Sequence, residues 1–79
     1  MKNEELNTKI LALLAEQIGV EVEDIELTDQ LGIDLHMTSG DILDFIDKLS
    51  EAGIVDEIEI SKKYTVERML EKVASESLI

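Results

Sequence analysis

Thr38-Ser39-Gly40-Asp41-Ile42-Leu43-Asp44-Phe45-Ile46-Asp47-Lys48-Leu49 is the stretch on which the reading of this chain turns. Ile42, Phe45, Ile46 and Leu49 recur at three- and four-residue steps. At about 100° per residue they share one stripe about 100° wide. Asp41, Asp44, Asp47 and Glu51 fall on the opposite side. The pattern is that of an amphipathic helix, with an aliphatic face to bury and an acidic face to present. Ser39 is a favoured N-cap, Gly40 and Asp41 suit a first turn, and Gly53 is a stop. A helix is therefore expected over about 40–52.

Working toward the N-terminus, Leu6, Ile10, Leu13 and Leu14 repeat the helical spacing, flanked by Leu11 and Ile18. Asn3 is the expected cap, Glu4 and Glu5 suit the positive end of the helix dipole, and Gly19 is the expected stop, so this helix covers about 4–18. Toward the C-terminus, Val66, Met69, Leu70 and Val73 carry the same spacing after Thr65, a cap residue, and predict a helix over about 65–75. Between them, Asp56-Glu57-Ile58-Glu59-Ile60 alternates like a strand but has no second strand to pair with, so a short helix at about 56–61 is expected. Residues 19–38 make a long connection, with Val20, Val22, Ile25, Leu27, Leu31, Ile33 and Leu35 available to pin it. Such a crossover can lay two helices parallel. The sum is one all-α domain over 1–79, a four-helix bundle with one short member. Its expected core includes Leu6, Ile10, Leu13, Leu31, Leu35, Phe45, Ile46, Leu49, Val66, Met69 and Leu70.

The chain has 79 residues, with 19 Asp and Glu against 7 Lys and Arg, a formal charge of −12. That balance argues against nucleic acid and anionic membranes as partners, since both need clustered cations. An apolar fraction of 44% separates it from disordered acidic tails. With no cysteine there is no disulfide, thiol nucleophile or Cys-ligated zinc. The acidic start lacks the form of a secretory signal, and no apolar run approaches a membrane span, so a cytoplasmic protein is expected. Enzyme signatures fail. The one histidine, His36, lies three residues before Ser39, but no oxyanion hole or cleft accompanies them. The acids around Asp24 to Asp29 lack the glycine of a calcium loop. What remains is a hydroxyl, Ser39, at the mouth of an acidic helix, where free N–H groups and the positive dipole end suit an attached phosphate.

The chain resembles the acyl carrier protein family, whose pattern is Asp-Leu-Gly-x-Asp-Ser-Leu-Asp followed by an acidic amphipathic helix. Asp34-Leu35 matches its Asp-Leu, Ser39 its serine and Asp41 its last Asp. His36 stands where Gly is usual, Thr38 where Asp is usual, and Gly40 where Leu is usual. Thr65-Val66 looks like the start of the family's last helix, and Ile54 to Ile60 like the approach to its short third helix. The resemblance spans about 4–75 and implies a four-helix bundle of acyl-carrier type. It implies no enzymatic activity. It implies a carrier that holds acyl intermediates as thioesters on a 4′-phosphopantetheine arm, taken from coenzyme A and attached at Ser39, as in fatty acid biosynthesis. Implied partners are a phosphopantetheinyl transferase and acyl-processing enzymes with basic patches, docking a monomer on Asp41, Asp44, Asp47, Glu51 and an apolar contact from Met37. The alternative is a carrier-like acidic interaction module that is never modified, which the Thr38 and Gly40 departures favour.

Overall fold

Among the described residues three α-helices, α1 (Lys2–Ile18), α2 (Ser39–Glu51) and α3 (Val66–Glu76), make the frame, with one 3-10 turn at Val22–Asp24. The computed structural model describes residues 2–78, with side chains from Glu4 onward. The cap expected at Asn3 lies outside the described side chains, and the helix is already under way at Lys2. α1 is the central helix. It packs against both α2 and α3, which do not approach one another closely. Leu6, Ile10 and Leu14 of α1 meet Ile42, Phe45 and Leu49 of α2 and Val66, Met69 and Val73 of α3 in one aliphatic core. Phe45, fully buried, is its only ring. Gly19 and Gly53 end α1 and α2 as expected, each with φ +76°, a left-handed backbone that glycine enters without a Cβ clash.

The fold is all-helical, but the fourth helix expected at 56–61 is absent. Those residues run as two bends followed by irregular chain. The reason lies in the alternation itself: Ile58 and Ile60 reach one side together only in extended backbone, and a helical turn would set them about 200° apart. Ile60 is buried and Ile58 half-buried, while Asp56, Glu57 and Glu59 face solvent. Ile54 and Val55 anchor the start of this segment in the core, and the Ile54 carbonyl accepts from the Leu78 N–H at 2.8 Å.

The long connection is also held differently from the expectation. Of the seven apolar pins, only Leu31 is fully buried; Ile25 and Leu35 are half-buried, and Val20, Val22, Leu27 and Ile33 are exposed. Backbone pairing takes their place. Leu31 N–H donates to the Tyr64 carbonyl at 3.0 Å and Gly32 N–H to the Lys62 carbonyl at 2.9 Å. In return Val66 N–H donates to Asp29 at 2.8 Å and Glu67 N–H to Leu27 at 3.0 Å. Gln30 and Thr65 form an isolated antiparallel bridge at the centre of this clamp. Gly32 is required by the approach, since a Cβ there would lie 3.0 Å from the Lys62 Cβ and 3.2 Å from its carbonyl oxygen. Among the described residues no helix is long and apolar enough to cross a membrane.

Candidate functional site at the mouth of α2

The cap of α2 is Thr38, one residue before the expected Ser39. Thr38 Oγ1 accepts from the Asp41 N–H at 3.1 Å, and the Asp41 carboxylate accepts from the Thr38 N–H at 2.9 Å. This is a reciprocal capping box, in which side chains satisfy two N–H groups that the helix cannot. Thr38 is extended (φ −86°, ψ 172°), as an N-cap must be. Ser39 is therefore the first helical residue, exposed, with its hydroxyl left out of the cap. The N–H groups of Ser39 and Gly40 have no acceptor among the described residues, so the positive end of α2 opens beside that hydroxyl.

The approach to Ser39 is built from turns. The Asp34 carboxylate accepts from the Gln30 N–H at 2.7 Å, and the Asp34 and Leu35 N–H groups donate back to the Gln30 carbonyl. His36 has φ +60°, left-handed backbone at a non-glycine residue. Met37 then turns inward: its N–H donates to the Leu31 carbonyl at 3.0 Å and its side chain is only 3% exposed. Met37 is thus a core residue and not the surface contact expected of it. Asp41, also expected to face partners, is half-buried with its carboxylate engaged in the cap. Asp44, Asp47 and Glu51 are exposed, and by helical geometry they share an arc of about 60°. Leu43 borders that arc and is 63% exposed.

Ser39 also stands at the edge of a groove of about 530 Å³. One wall is α2, through Ser39, Ile42, Leu43 and Ile46, which fall within an arc of about 100°. The other is the chain leading into α3, with Ile58 and Ile60 of the segment that did not become a helix and Lys62 and Tyr64 beyond it. Tyr64 is steadied by Arg68, whose guanidinium carbon lies 5.4 Å from the ring centroid. The chain matches no family model, no curated protein and no solved structure. The site accordingly rests on its own geometry: an uncapped hydroxyl, free N–H groups, an apolar groove and an acidic ridge on one helix. The second wall is what sequence reasoning missed. Its signal was the alternation of Ile58 and Ile60, which marks a one-sided extended segment.

Proposed function

We propose that the chain is an acyl carrier protein built on three helices, carrying 4′-phosphopantetheine on Ser39. The observation that carries this reading is the exposed Ser39 hydroxyl at the first position of α2, released from capping by Thr38 and opening on an apolar groove. The residues fit the group. The hydroxyl is accessible, the positive helix end favours a phosphate, and the groove has apolar walls along which a slender chain can lie. Two departures from the family pattern are mild in physical terms. Thr38 performs the capping that an Asp there also performs. His36 sits in left-handed backbone, which is the conformation for which glycine is the usual choice.

In the loading reaction the Ser39 oxygen forms a bond to the pantetheine-side phosphorus of the coenzyme A pyrophosphate. The anhydride bond breaks, 3′,5′-ADP leaves with the electron pair, and the serine proton passes to a base of the transferase. The bound arm supplies the thiol on which acyl cargo is held as a thioester. The rest is done by the chain's own residues. Thr38 and Asp41 fix the direction of α2, and Asp44, Asp47 and Glu51 attract partners with basic patches. Exposed ion pairs are each worth about 0–1 kcal/mol, so such complexes form fast and part readily.

A second reading, an unmodified interaction module, draws on Gly40 and on the burial of Met37, which leave the mouth of α2 without the apolar side chain the family offers there. Intact mass separates the two. After incubation with coenzyme A and a broad-specificity phosphopantetheinyl transferase, the expected product carries one phosphopantetheinyl group, and Ser39→Ala carries none. An unchanged mass, both in that reaction and in protein isolated from its native host, would sink the carrier reading.

A further inference from the structure

We infer that Lys62 is the cation that holds the phosphodiester of an arm carried on Ser39, and that it thereby turns the arm toward the wall of Ile58 and Ile60. The inference rests on the carrier reading. Among the described residues Lys62 is the one basic residue lining the groove that Ser39 opens on; it is exposed and also borders a second depression with Gly32, Ile33 and Met37. Its backbone is fixed by the clamp, since its carbonyl accepts from Gly32 and the two chains approach so closely that Gly32 has no room for a Cβ. Its ammonium makes no ion pair among the described residues, as holds for each described cation except Lys72, which pairs with Glu76 at 3.0 Å in the neighbouring depression.

The anion it would meet is well defined. A phosphodiester on Ser39 Oγ would carry one negative charge at the mouth of α2, where the N–H groups of Ser39 and Gly40 have no acceptor among the described residues. Gly40 presents no side chain over them, and even an added Cβ would meet nothing closer than the Thr38 hydroxyl at 3.7 Å. On the other side of α2 the exposed Asp44, Asp47 and Glu51 repel the same charge. The arm is pushed from the acidic ridge and drawn across the groove by Lys62, whose flexible stem lets the ammonium follow the phosphate. Glu59 is the groove's one carboxylate, and it also lines the depression that holds Lys72. The Lys72 pKa is raised mainly by its hydrogen bond and charge interaction with Glu76, with a lesser contribution from Glu59.

The test uses the loaded protein. NOEs are measured between the geminal methyls of the arm and the methyls of Ile58 and Ile60 in wild type, Lys62→Gln, Lys62→Arg and, as a control on α1, Lys9→Gln. Expected are NOEs in wild type that fall about threefold in Lys62→Gln, the scale of an exposed ion pair, and survive in Lys62→Arg and Lys9→Gln. In wild type they should also weaken in about 1 M NaCl, where charges are screened beyond about 3 Å. NOEs that are absent in wild type, indifferent to salt, or equal in Lys62→Gln overturn the assignment while leaving the carrier reading intact. A wild-type chain that gains no mass from the transferase and carries none when isolated from its native host removes both.

Discussion

His36 and Thr38 show how much of the site is decided by single backbone positions. A non-glycine residue in left-handed backbone costs about 1–2 kcal/mol, and His is among the residues that bear it best. Relief of that cost, less the extra freedom glycine has when unfolded, makes His36→Gly more stable by about 0.5–1 kcal/mol in urea denaturation. His36→Val should instead lose about 1–2 kcal/mol. The cap assignment is tested the same way. Thr38→Ala removes a bonded cap and should lose about 1 kcal/mol, whereas Ser39→Ala should stay within about 0.5 kcal/mol of wild type. The reverse ranking would return the cap to Ser39. Sequence reasoning placed the serine correctly at the helix mouth but misassigned the cap by one position, because Thr and Ser are both good caps and only the Thr38–Asp41 pairing distinguishes them. The three-residue spacing from Thr38 to Asp41 was the available signal.

At the scale of the element, α2 divides its duties by angle. Its buried arc holds Phe45 and Leu49, its groove arc Ser39 and Ile46, and its exposed arc Asp44, Asp47 and Glu51. This division was legible in the periodicity, since burial follows the 3.6-residue repeat. The 56–61 segment was not, because a short alternating run with no partner strand satisfies neither template and only tertiary contacts decide it. The exposed arc yields a kinetic prediction. Asp44→Lys with Asp47→Lys should slow association with a partner bearing a basic patch by about tenfold or more at low salt, measured by stopped-flow, and the gap to wild type should close as salt rises. Equal rates at low salt would show that α2 is not the docking ridge.

For the whole molecule, the excess of acid sets the terms. A net charge of −12 on 79 residues repels itself in the folded state more than in the expanded one. Raising NaCl from about 0.01 M to 0.5 M shortens the screening length from about 30 Å to a few ångströms and should raise the thermal midpoint by several degrees. About 1 kcal/mol corresponds to about 4–8 °C in a domain of this size. A midpoint that falls with salt would mean that attractive pairs outweigh the repulsion. The global charge was plain from composition, but the use of Asp29 and Asp34 to close turns was not, because each acts on backbone N–H groups that only the folded loop brings near. The clamp between residues 27–32 and 62–67 carries one further consequence. The setting of Ser39 is a long-range property: the loop that delivers it is tied to backbone 30 to 40 positions downstream. A chain cut short before Ser61 would still spell out the serine and its acidic helix, yet it would lack the partner backbone that seats them. The start of α3 is thus as much a part of the setting of Ser39 as α2 itself.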